Sequence, residues 1–212
     1  MNWKKIVTSD NNLKIILEFL KDNPEFITIK VNKQKPTNLN SEAAEKIKLK
    51  YEKNLDIVRS PSLPETKWDP ALSIILQEFY DFDNDNTSIG DAEVIHKKIK
   101  SSENFMGELL EVYIESIIKD FGWIRAIGET IKATDFIKKE DGTWHLLQIK
   151  NRNNTENSSS AKIREGTDIK KWWRFNAKNG KLNWENFPIE DCRDKLSDEG
   201  FLIFIKNYFN NL

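Results

Sequence analysis

The sequence predicts an α/β or α+β core over residues 61–212, preceded by a helical arm or subdomain over residues 1–60. Three observations lead there. The longest helical pattern, residues 91–121, is followed by three strand candidates, residues 123–127, 130–137 and 144–150, and then by more helix. An apolar content of 38%, with 7 Trp and 12 Phe in 212 residues, is enough for a packed core. The segment Arg59-Ser-Pro-Ser-Leu-Pro64 has the composition of a linker.

The elements follow in chain order. Leu13, Ile16, Leu17 and Leu20 recur at helical spacing, and Pro24 ends the pattern. Residues 41–55 read as a Glu/Lys-rich helix with Ser41 as its N-cap. Asp69-Pro70 opens a helix to about Tyr80, with the aspartate as cap and proline at the first helical position. Asp81, Asp83 and Asp85 alternate as in a calcium loop. That template needs glycine sixth and glutamate twelfth, where this chain has Asn86 and Ala92, so residues 81–90 are expected to be a solvated loop. In residues 91–121 a break is expected near Ser101-Ser102, and Gly122 supplies the stop. Asp141-Gly142 marks a hairpin turn between the last two strands. A short helix is expected from Asp168 to Phe175, with Trp172 and Trp173 packed in the core. A last helix begins at Ser197.

Composition excludes several chemistries. One cysteine, Cys192, allows no internal disulfide and no cysteine metal cluster, which fits a reducing cytoplasm. No window reaches the length of a membrane span, and Met-Asn-Trp-Lys-Lys does not resemble a signal peptide. The net charge of -1 hides an asymmetry. Residues 61–120 carry a balance of -8, and residues 148–182 carry +6. A local basic patch, not the total, steers a polyanion.

The strand over residues 144–150 ends on Gln148-Ile-Lys150. Alternation puts Leu146, Gln148 and Lys150 on one face and Leu147 and Ile149 on the other. Pairing through the Asp-Gly turn can bring Asp135 of the preceding strand onto the Gln148 face. A carboxylate, an amide oxygen and an ammonium would then meet at the end of a sheet. Hard cations such as Mg²⁺ take such oxygen ligands. A nearby lysine can orient a water or stabilise charge on phosphoryl oxygens. Glu108, Glu111 and Glu115 share a helix face and offer a further acid. The set of Asp135, Gln148 and Lys150 with one of Glu108, Glu111 and Glu115 suits metal-assisted phosphodiester hydrolysis.

Gly107-Glu-Leu-Leu-Glu111, Asp135 and Gln148-Ile-Lys150 resemble the helix acid, strand Asp and acid-x-Lys of the PD-(D/E)xK nuclease superfamily. Thr134 stands where that pattern has proline, and Gln148 where it has an acid. The spacing of Glu111 from Gly107 resembles the G-x-x-x-E of relatives, so the resemblance implies Asp135, Gln148, Lys150 and Glu111, with Glu108 the alternative, as catalytic residues and Asp135, Gln148 and Glu111 as metal ligands. A wider set is similar to the SinI-like type II restriction endonucleases. It comprises the run from Trp144 to Ser160, Arg164-Glu-Gly-Thr, Lys170-Lys-Trp-Trp-Arg174 and Asn183-Trp-Glu-Asn-Phe-Pro188, with Ala133-Thr-Asp-Phe-Ile137 ahead of them. This resemblance covers roughly residues 68–206 and leaves the first 60 unmatched. It implies a restriction-endonuclease-like core, a central mixed sheet flanked by helices. It also implies Mg²⁺-dependent cutting of double-stranded DNA at GG(A/T)CC by a homodimer, and a cognate DNA methyltransferase in the same system. A catalytically impaired DNA-binding protein, or a nuclease of this fold acting on RNA or structured DNA, are the alternatives.

The DNA-recognition segment is expected at residues 151–182. Asn151, Arg152, Asn153, Asn154, Asn157, Ser158, Ser159 and Ser160 offer base and phosphate contacts. Lys162, Arg164, Lys170, Lys171 and Arg174 would meet phosphates.

Overall fold

A computed structural model describes residues 10–55, 61–65, 67–80, 86–153 and 167–211. Helix α1, Asn11–Asp22, starts where Asp10 Oδ1 accepts from the N–H groups of Asn12 and Leu13. Helix α2 spans Ser41–Leu55. Its cap is Asn40, not the expected Ser41, because Asn40 Oδ1 accepts from Ala43 N–H at 2.8 Å. Helix α3, Pro70–Tyr80, is capped by Asp69 as expected, through a 2.9 Å bond from Ala71 N–H.

Helix α4 runs from Asn86 to Ile118. It begins inside the stretch expected to be loop, and it does not break at the serines. Their hydroxyls are satisfied by main-chain carbonyls, Ser101 by Ser62 and Ser102 by Lys98, so they cost the helix little. Gly122, at φ +78°, takes the left-handed conformation that ends this segment.

Four strands form one mixed sheet in the order β1-β2-β3-β4: Ile124–Arg125, Phe136–Glu140, Thr143–Arg152 and Ile169–Phe175. The first three are antiparallel neighbours, and β4 lies parallel to β3. Asp141 (φ +49°) and Gly142 (φ +80°) make the two-residue turn that Asp-Gly favours. Two expectations fail here. The strand over residues 130–137 survives only as a bridge at Ile131 and as the start of β2, because Ala133 (φ +54°) turns the chain. The helix expected at 168–175 is β4. A parallel partner for β3 needs a long crossover, and the polar stretch after Arg152 has that length.

The chain forms two compact units, Met1–Val58 with Leu110–Leu212, and Arg59–Leu109. The division therefore differs from an arm ending near residue 60. The physical reason is the core. Leu17, Phe19 and Leu20 of α1 and Ala44 and Ile47 of α2 are buried in one cluster with Ile137, Leu146 and Ile169 of the sheet. Each such side chain contributes roughly 1.5–3 kcal/mol by leaving water. Neither the two helices nor that face of the sheet could leave the other exposed. On the opposite face Trp172 packs on Trp184 and Phe187, with ring centroids 4.9 and 5.1 Å apart. Trp184 also meets Tyr113 of α4 and Phe201 of the last helix, α5 (Asp198–Asn210), which Ser197 caps.

Candidate active site

The site is built where β2 leaves β3. Phe136 pairs with Leu147 as the last rung of the antiparallel ladder. One residue earlier, Asp135 still donates its N–H to the Leu147 carbonyl at 2.9 Å. Its side chain then replaces the main chain: Asp135 Oδ2 accepts the Ile149 N–H at 2.6 Å. The carboxylate is thereby fixed against β3 between Gln148 and Lys150. The left-handed turn at Ala133, two residues upstream, lets the chain diverge there.

Burial pushes the Asp135 carboxyl up to about 6. The Ile149 N–H and the charge of Lys150 oppose that shift, and Glu129 adds to it. Lys150 is thus close enough to act on Asp135 electrostatically. Gln148 is buried, with 5% of its surface exposed, whereas Lys150 reaches solvent. The register sets Gln148 beside Lys171 and Lys150 beside Trp173 of β4.

The helix acids divide. Glu111 belongs to the same compact unit as Asp135, and Glu108 to the other. Both are half-buried. Glu115, the third of the expected trio, forms an ion pair with Arg125 of β1, Nε to Oε2 at 3.0 Å. Burial raises its carboxyl above the usual range, against the charges of Arg125 and Lys119. Cys192 is buried and its thiol is pushed up to about 11, which leaves it no role as a nucleophile at neutral pH.

The donors fit a hard divalent cation. Asp135 is a carboxylate removed from water with one oxygen bonded to Ile149 N–H, and Gln148, the residue before Ile149 on β3, adds a neutral amide oxygen. Asp135 and Gln148 bring the oxygen donors that a hard cation takes, but among the described residues no group of three His, Cys, Asp or Glu side chains converges to hold a metal by itself.

Against known proteins, the family model for the SinI restriction endonuclease matches residues 4–211. The chain belongs to the SinI restriction endonuclease family. The type II restriction enzyme Eco47I of Escherichia coli is 35% identical over 200 residues, covering 93% of this chain and 86% of the relative. The type II restriction enzyme SinI of Salmonella infantis is 40% identical over 156 residues, covering 73% of this chain and 67% of the relative. The family match extends to residue 4, so it takes in α1 and α2, which the motif resemblance left unmatched. Their place in the shared core explains why a SinI-family chain carries them.

The expected DNA-contacting residues separate into three groups. Asn154, Asn157, Ser158, Ser159, Ser160, Lys162 and Arg164 lie outside the described residues. Asn151, Asn153 and Arg174 are engaged within the protein. Arg174 Nε donates to Asn151 Oδ1 at 3.0 Å, Arg174 also pairs with Asp198 at the start of α5, and Asn153 Oδ1 accepts from Ala177 N–H at 2.7 Å. Arg152 and Lys170 are exposed, Arg152 with its guanidinium 5.9 Å from the Phe175 ring, and Lys171 is half-buried. Sequence reasoning missed two contributors. The Ile149 main chain carries no side-chain signature. The Glu115–Arg125 pair could have been suspected from an arginine placed between the acidic helix and Asp135.

Proposed function

We propose that the protein hydrolyses phosphodiester bonds of double-stranded DNA at a short specific site, with Mg²⁺, as a homodimer working beside a cognate methyltransferase. Family membership makes it a type II site-specific deoxyribonuclease. The single observation that carries the chemistry is the Asp135 carboxylate, held by Ile149 N–H and sensing the charge of Lys150. The motif resemblance points to GG(A/T)CC as the site and to a PD-(D/E)xK core.

Asp135, Gln148 and Glu111 would hold the cation, and Glu108 is the alternative acid. When bound, the cation would lower the pKa of a water and neutralise charge on the phosphate. Lys150 orients the attacking water and donates to the phosphoryl oxygen as its charge grows. Ile149 N–H fixes one carboxylate oxygen and so aims the other. Because Gln148 brings no charge, the helix glutamate supplies the anionic ligand that the strand lacks.

Digestion of plasmid with Mg²⁺, followed by sequencing of the fragment ends, tests this reading. Discrete fragments sharing one terminal sequence are expected. Lys150→Ala should cut at least about a hundredfold more slowly while still shifting the same duplex on a gel. Specific gel shifts with no cutting by the wild type would favour an impaired binding protein. Cleavage confined to RNA or to structured DNA would replace the substrate.

A further inference from the structure

The second compact unit, Arg59–Leu109, does not complete a core of its own. It has 51 residues, near the lower limit at which a chain buries enough surface to stand alone. Among its described residues only Phe105 and Leu109 are buried apolar side chains. Outward-facing apolar groups are more plentiful. On α3, Leu72, Ile74 and Ile75 are 43%, 60% and 53% exposed, and on α4, Val94, Ile95 and Ile99 are 45%, 55% and 56% exposed. Within the unit, a cavity of about 520 Å³ is lined by the apolar Trp68, Leu76, Ala92, Ile95 and Ile99 together with His96 and the acid Asp91.

The geometry points to this face as the seat of a second copy of the same chain, an inference that rests on the homodimer reading above. Three observations select that occupant. First, the unit has 5 basic and 10 acidic residues over 59–109, so it is unsuited to DNA. Second, the charges along α4 are self-complementary. On the Ile95 face Asp91 lies one turn before and Lys98 one turn after, while Glu93 and Lys97 pair with each other within the helix at 2.6 Å. A two-fold axis near Ile95 runs α4 antiparallel to its own copy, setting Asp91 of each against Lys98 of the other. An isologous contact requires that pattern. Third, half-exposed side chains of this number and size, with their flanking stems, offer on the order of 800 Å² per partner, the scale of a standard interface. A two-fold pair of subunits also suits a two-fold DNA site.

Sedimentation of the intact protein, with and without duplex, gives the first readout. Variant Ile95→Glu/Ile99→Glu gives the second. Both positions are more than half exposed but also line the cavity, so the variant's melting temperature is compared with that of the wild type to separate dissociation from unfolding. The wild type should sediment as a dimer, and the variant should dissociate roughly tenfold or more readily. Ile95→Cys gives a third readout that does not depend on that variant folding. Cys192, the single native cysteine, is fully buried, so mild oxidation should yield a disulfide-linked dimer through residue 95. A wild-type dimer that neither dissociates with the glutamates nor cross-links at 95 would overturn this location and leave the homodimer reading intact. A wild type that stays monomeric even on DNA would overturn both, and the face would then serve another partner.

Discussion

Asp135 is held in surroundings that disfavour its own charge. Its carboxyl is raised from 3.8 to about 6, chiefly by burial. Between those two values the folded chain binds more protons than the unfolded one. Stability therefore falls as pH rises through that window, and the deficit is complete above about 6. Two units at 1.36 kcal/mol each set an upper bound of about 3 kcal/mol. Asp135→Asn keeps an oxygen to accept from Ile149 N–H and removes the charge. Without metal at pH 8 the variant should be more stable than the wild type by about 1–3 kcal/mol, and the gap should close below pH 4. Mg²⁺ should raise the melting temperature of the wild type only, and cutting should be lost. Equal melting temperatures of the two proteins in a chelator at pH 8 would remove the burial argument. The placement of Gln148 and Lys150 on one face of β3, with Asp135 beside that strand, was legible in the sequence because strand alternation has period two. The bond from Ile149 N–H was not legible. It exists because the chain leaves the ladder at Asp135, and that depends on the left-handed Ala133, which no residue type announced.

Among the elements, β4 shows where pattern reading stops. Ile169–Phe175 is short, apolar and charged by turns, and periodicity alone does not separate helix from strand at that length. The caps at Asp69 and Ser197 and the Asp-Gly turn were readable because they are local hydrogen-bonding chemistry. β4 was not, since its partner β3 decides it, whereas Asn40, one residue before the expected Ser41, makes an equally local cap. Arg174 follows from β4. On a helix it was expected to face phosphate. On the strand it bonds Asn151, next to Lys150, pairs with Asp198, and lies 5.2 Å from the Phe201 ring. Its side chain is 12% exposed and that of Asp198 is 23%. Arg174→Ala leaves both partners short of a donor in a largely dry setting, at about 2–3 kcal/mol. The melting temperature should fall by roughly 4–10 °C. DNA affinity should keep its salt dependence, because this cation is not spent on phosphate. A stable variant with a shallower salt slope would return Arg174 to the DNA face.

Over the whole molecule, charge is sorted by segment. The +6 balance of residues 148–182 begins at the candidate active strand, and the -8 balance lies over residues 61–120. Duplex bound along the basic segment releases a counterion for each phosphate neutralised, so log affinity should fall linearly with log salt at about -0.9 per contact. Internal pairing removes Arg174 from that count, and the stretch from 154 to 166 lies outside the described residues. Lys170 is the clearest remaining test. It is exposed on the outer strand β4 and registers with Leu147, so it lies on the sheet face opposite Gln148 and Lys150 and tests whether the duplex reaches that edge. Lys170→Ala should weaken specific and nonspecific duplexes alike and reduce the salt slope by about one. The same titration on Lys67→Ala, an exposed cation in the acidic unit, serves as the contrast and should leave the slope unchanged. Anisotropy between 50 and 200 mM salt, with Ca²⁺ replacing Mg²⁺ to hold the duplex uncut, gives both slopes. If the two variants lose the same slope, the charge sorting does not orient DNA. If only Lys170→Ala does, DNA lies along the β3–β4 edge.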